Sequence, residues 1–154
     1  MPWPLLLRDL GLLAASLLVW RGADAWQGAT GGWLPAVAAC AAGILLALAF
    51  GYAAHEWGHF LAARAGGGTL RIRRALASPT VFEFPVHENN RSQFLWMAWG
   101  GLAGVWLQAG AFALLLPATA GGLAAILFSA AGALFTTLVE GPKLWRVLRD
   151  RPVA

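Results

Sequence analysis

Four stretches of this chain stay apolar for about the length of a bilayer crossing, and that property excludes most folds. They run from about Pro4 to Trp20, Leu34 to Leu61, Phe94 to Leu116 and Gly122 to Val139. Each approaches the ~20 residues that a helix needs to cross ~30 Å of hydrocarbon. Lipid cannot satisfy backbone N–H and C=O groups, so segments of this kind resolve into a helix bundle. The breakers fit the boundaries: Pro35 suits a first helical turn, and Gly66-Gly67-Gly68 suits a stop. Pro117 closes the third stretch and Gly141-Pro142 the fourth. Charged residues make up 12% of the chain, where a soluble domain carries about 25%. The expected architecture is an all-α polytopic membrane protein of about four transmembrane helices.

The arginines orient it. Arg64, Arg71, Arg73, Arg74 and Arg91 lie in or beside the 62–93 connection, and Lys143, Arg146, Arg149 and Arg151 follow the fourth stretch. With Arg8 near the N-terminus, four spans put ten basic residues on one side and only Arg21 on the other. Basic residues stay in the cytoplasm, so both termini are expected there, in a multi-pass protein of a bacterial inner membrane. Trp20, Trp26 and Trp33 would mark the outer boundary, and Trp3 and Trp145 the inner one. A competing reading of the N-terminus is a cleavable leader ending at Ala23-Asp24-Ala25, which leaves the other spans oriented as before. The one cysteine, Cys40, rules out a disulfide framework and suits a small core position.

The connection itself alternates. Leu70-Arg71-Ile72-Arg73 and Val81-Phe82-Glu83-Phe84 are split by Ser78-Pro79. This predicts a small membrane-associated β-hairpin between helices two and three, with Arg outward and apolar residues toward lipid. An irregular basic loop on anionic headgroups is the alternative.

Inside the second apolar stretch stands His55-Glu56-Trp57-Gly58-His59, an H-E-x-x-H pattern. Residues four apart share a helix face, so the two imidazoles can aim at one ion, with Glu56 beside them to take a proton from water. Three ionisable groups within a span are costly unless they face a cavity, pair with one another or bind a metal. The alternative is a set of interfacial side chains reaching back to the headgroups. Imidazole plus carboxylate with one open position is the usual catalytic set of Zn2+.

Such a site needs a third protein ligand, and the carboxylates are Asp9, Asp24, Glu83, Glu88, Glu140 and Asp150. Depth sorts them: counted from the outer ends of their spans at 1.5 Å per residue, His55 lies ~32 Å down and Glu140 ~27 Å down. Glu140 is therefore the first candidate, with His87 or Glu88 as alternatives. Gln108, in the third span, is expected to bridge helices, and Asn89 and Asn90 to form a turn.

This pattern resembles the site-2 protease family of intramembrane zinc metalloproteases. The resemblance covers about residues 40 to 145. It rests on His55, Glu56 and His59, and on Gly100-Gly101-Leu102-Ala103-Gly104, which is similar to a Gly-Pro-Leu-Ala element of the family's middle helix. Gly101 stands where proline is usual. The segment after the H-E-x-x-H helix resembles a family hairpin that presents an edge to unwound substrate. The family's longer pattern on the last helix, N-x-x-P-x-x-x-L-D-G, falls on Gly132 to Gly141. Gly132, Phe135, Val139 and Glu140 depart from it and only Gly141 matches.

The resemblance implies a three-helix metalloprotease-like core over 34–145, an additional first span and outer loop over 1–33, and a basic cytoplasmic tail over 146–154. It implies a zinc metalloendopeptidase with Glu56 as the catalytic base and His55, His59 and Glu140 as the metal ligands. The expected partners are a membrane protein substrate and the lipid bilayer, with no nucleic acid. The alternative is a catalytically weakened or inactive relative that binds a partner span.

Overall fold

The structure, a computed structural model, describes residues 2–149. In chain order it contains α1 (Trp3–Thr30), α2 (Trp33–Ala65), β1 (Arg71–Ile72), β2 (Phe82–Glu83), a 3-10 turn (Val86–Glu88), α3 (Arg91–Leu115) and α4 (Ala120–Arg149). All four α-helices are long and apolar enough to cross a membrane. The helix α2 is the hub and packs against each of the other three.

Residue size, rather than polarity, sorts the inside from the outside. Leu18, Leu107, Leu114 and Leu138 point outward and are each more than 70% exposed, whereas Ala39, Ala42, Ala47, Ala125 and Ala133 are buried. Polar Gln108 and Ser129 are buried too, and they bond across α3 and α4 at 2.8 Å. A water-soluble bundle would reverse this arrangement. In lipid there is no hydrophobic gain from helix contact, so small residues and interhelical hydrogen bonds supply the association.

The α2–α3 seam shows what the small residues do. A Cβ at Gly58 would run into the Gly100 carbonyl, one at Gly100 into the Gly58 carbonyl, and one at Gly104 into the Ala54 carbonyl. The backbones therefore touch over a full turn of both helices. On the α4 side, Gly43 meets the Gly121 carbonyl in the same way.

Helix boundaries follow the breakers with two exceptions. The end of α2 behaves as expected: Gly67 takes a left-handed φ of 71°, and the Gly68 N–H returns to the Ala63 carbonyl at 2.8 Å. At the start of α3, Asn90 and Gln93 form a reciprocal capping box, and the Asn89 side chain ties Thr69 to Pro85. Both asparagines are thus structural. The first exception is α1, which continues past Trp20 to Thr30, so the outer loop shrinks to Gly31-Gly32. Gly22 and Gly28 are carried within the helix, and Gly31, with a left-handed φ of 67°, turns the chain. Ala23-Asp24-Ala25 consequently lies inside a helix, and Trp20 is buried in a cluster with Leu46 and Phe112 rather than set at an interface.

The second exception is α4, which runs through Pro142 to Arg149. Lys143, Arg146 and Arg149 ride on the helix, while Asp150 and residues 151–154 lie outside the described residues. Proline deletes only the N–H that would reach the Leu138 carbonyl. Two contacts hold the helix beyond it. Leu144 is buried, and the Arg91 guanidinium donates to the carbonyls of Val147 at 2.8 Å and Leu148 at 2.6 Å.

The hairpin is present with its arginines exposed as expected, but its second arm is buried against helices. β1 and β2 pair antiparallel, Arg71 with Glu83 and Ile72 with Phe82. Val81 and Phe82 are buried against Leu5, Phe60 and Ala63, not turned to lipid, whereas Ile72 is exposed. Simple alternation fails because two successive residues, Val81 and Phe82, both face helices. Arg71 pairs with Glu88 and Arg73 with Glu83. Cys40 is half-buried, its thiol 3.6 Å from the Ala120 carbonyl.

Candidate metal centre

The H-E-x-x-H residues fall in the last third of α2, which is unbroken from Trp33 to Ala65. His55 and His59 are therefore one turn apart on the same face, and their Nε2 atoms stand 3.1 Å apart. Because α4 continues past Pro142, Glu140 sits on a formed helix and reaches across to them. Its Oε1 is 3.3 Å from His55 Nε2 and its Oε2 is 3.8 Å from His59 Nε2. Among the described residues this trio is the cluster able to hold a metal, with one ligand atom from each inside a 4.8 Å span.

The donor set can be tested against an ion. A tetrahedral zinc with bonds of ~2.0–2.1 Å keeps its ligand atoms roughly 3.3 Å apart. The Nε2–Nε2 separation of 3.1 Å and the His55 Nε2–Glu140 Oε1 separation of 3.3 Å match that value, while His59 Nε2 lies 3.8 Å from the other carboxylate oxygen. The tautomer agrees: a carbonyl only accepts, and the Met97 carbonyl lies 2.7 Å from His59 Nδ1. Nδ1 therefore carries the proton, and the Nε2 lone pair is left facing the cluster. This partner at the outer nitrogen is the usual device for orienting a metal-binding histidine. His55 Nδ1 is buried without a hydrogen bond. The two Nε2 atoms and the Glu140 carboxylate stand so close that a proton or a cation must lie among them. The residues fit a divalent ion.

Glu56 is the neighbour of His55 on α2 and lies one turn from His59. Its Oε2 accepts the Val81 N–H at 3.3 Å. The side chains of His55, His59 and Glu140 are 22%, 13% and 30% exposed, so the centre is recessed yet reachable. Cavities open on both sides of it. One of about 200 Å³ runs from His55 along Tyr52, Gly51, Gln108 and Ser129. Another, of about 250 Å³, is lined by His59, Glu140, Met97, Phe94 and Lys143.

The other candidates lie elsewhere. His87 is 80% exposed on its side chain and faces Glu88 at 3.4 Å, and Glu88 is already paired with Arg71. Asp9 is buried at the α1–α2 contact, bonded to Arg8 and Trp57. Asp24 Oδ1 is buried near Gly121. Two parts of the site carry no signal in the amino-acid pattern. The Met97 carbonyl is backbone, and the Val81 N–H arrives from a loop whose facing only packing decides.

Gly101 has a role that the sequence leaves open. A Cβ there would intrude on the His59 imidazole, so any side chain at 101, proline included, displaces this histidine. We expect Gly101→Ala to lower zinc affinity by about 10- to 100-fold, the range found when the support of a metal-binding histidine is disturbed. Equilibrium titration against a zinc-competing dye checks this, and wild-type affinity would remove the argument.

No protein-family model, curated protein or solved structure matches this chain. What the site does must be argued from its own geometry.

Proposed function

We propose that the chain is a zinc-dependent intramembrane metalloprotease that hydrolyses peptide bonds of membrane-embedded substrates near the cytoplasmic face. The observation that carries this reading is the convergence of two imidazoles from α2 and a carboxylate from α4 on one point, with Glu56 alongside, in a bundle of lipid-suited helices. Zinc bound there supplies a Lewis acid for the scissile carbonyl and water acidified toward a pKa of ~7.

The chain's own residues account for the rest of the reaction. His55, His59 and Glu140 hold the ion from two helices at once. Glu56 takes the proton from the attacking water and delivers it to the leaving amine, so one peptide bond and one water become a carboxylate and an amine. The flanking cavities give an unwound substrate room on either side of the scissile bond. The Val81 N–H is committed to Glu56 and its carbonyl accepts from the Arg73 N–H at 3.1 Å. Strand pairing with substrate therefore falls to Phe82–Phe84. The placement of ten basic residues on one side supports an inner-membrane protein with cytoplasmic termini.

The test is zinc content and cleavage by the purified protein in vesicles, with a quenched-fluorescent peptide carrying one apolar span. Near-stoichiometric zinc and cleavage are expected, with both lost to a chelator and restored by zinc. Zinc held without cleavage of any spanning peptide would favour a protein that binds a partner span. Absence of tight zinc would end the metal reading.

A further inference from the structure

The metalloprotease reading uses nothing from α1, yet α1 sets a charged pair against α2 beside Glu56, with Asp9 buried and Arg8 partly so. Asp9 is 2% exposed. Its Oδ1 accepts from Arg8 Nε at 2.7 Å and its Oδ2 from the Trp57 indole at 2.8 Å. Trp57 is the residue next to Glu56 on α2. The remaining Arg8 nitrogens spread over three acceptors. Nη1 donates to the carbonyls of Leu76 and Ser78, both at 2.7 Å, and Nη2 donates to the Tyr52 hydroxyl at 2.6 Å.

We infer that Arg8 and Asp9 are positioning residues for Glu56. The argument rests on the reading of Glu56 as the base. A buried carboxylate such as Asp9 within a span is expensive, and it persists where it does a task. Here the task is visible in what Arg8 grips. Leu76 and Ser78 belong to the segment between β1 and β2, which then leads through Thr80 to Val81. Val81 is fully buried, and its N–H is the donor on Glu56 Oε2. Asp9 fixes the guanidinium, the guanidinium fixes the two loop carbonyls, and the loop presents one N–H to the carboxylate. That bond leaves Glu56 Oε1 as the oxygen for the proton. A planar fork with several donors suits this grip, and an ammonium on a flexible stem does not.

Hydrogen exchange in vesicles and cleavage of the single-span peptide test the inference together. In Arg8→Gln, the amides of Ser78, Thr80 and Val81 should exchange at least about tenfold faster than in the wild type, while those of α2 around His55 stay protected. Zinc content should be unchanged, and kcat should fall about tenfold or more with KM held. Arg8→Lys should recover little of either, since it keeps charge but loses the fork. A variant that only loosened the fold would instead lose zinc and raise exchange throughout. Wild-type exchange at Ser78, Thr80 and Val81 in Arg8→Gln would overturn the grip. Faster exchange with unchanged kcat, in a protein where Glu56→Gln abolishes cleavage, would overturn the positioning role alone. Unchanged cleavage in Glu56→Gln would instead remove the base reading, and the positioning role with it.

Discussion

Glu56→Gln is expected to hold zinc as tightly as the wild type and to cleave about 10²- to 10⁴-fold more slowly, the range ascribed to a positioned general base. The amide keeps the size and shape of the carboxylate. It can still accept the Val81 N–H that reaches Oε2 at 3.3 Å, so the hairpin stays seated. What it loses is basicity. The ligand atoms on His55, His59 and Glu140 are untouched by the change, which is why metal content and turnover should separate. Zinc analysis and the fluorescent cleavage assay on the same preparation provide the check. Turnover within a few-fold of wild type would take Glu56 out of the chemistry.

Glu140→Ala should have the second large effect, on the metal itself. Removing the carboxylate leaves two neutral imidazoles and no negative charge among the ligands. We expect zinc affinity to fall by more than about 100-fold, beyond the upper range for losing an outer partner. Glu140→Asp is the informative companion. Both Glu140 oxygens now lie between 3.3 and 3.8 Å from an imidazole nitrogen, and an arm one methylene shorter draws the carboxylate back toward α4. An intermediate loss of affinity is expected, with cleavage reduced in step. If Glu140→Ala binds zinc like the wild type, the ion is held by another residue or not held between α2 and α4.

How much of this was legible beforehand depends on whether the information is local. The spacing of His55 and His59 is local, and helix geometry alone puts them on one face. The pairing with Glu140 was reachable by counting, because rise per residue is constant and both helices start at the same side. The helix termini were legible where a backbone conformation demands glycine, as at Gly67. Pro142 misled because a helix end that is anchored by Leu144 and Arg91 tolerates a missing N–H. The facing of Val81 and Phe82 misled because the alternation rule assumes one wet or lipid face, and here the hairpin is wedged against helices. Nothing local in the sequence gives Arg8 and Asp9 a role beyond orientation and a spare carboxylate, since their partners lie at Trp57, Tyr52 and the 76–78 segment. Gly101 read as a gap in a pattern, and only the position of the His59 ring explains it.

The two bonds from Arg91 to the final carbonyls of α4 carry a mechanical consequence. Arg91 is the first residue of α3, and α3 is locked backbone to backbone against the helix that bears the histidines. The guanidinium therefore works as a latch against piston motion of α4 along the bundle. A slip of one residue is about 1.5 Å of travel, enough to break both bonds and to carry the Glu140 carboxylate out of step with the imidazoles. Axial register, and with it the approach of Glu140 to the imidazoles, is thus held at the far end of the helix as well as by the Gln108–Ser129 bond along its length.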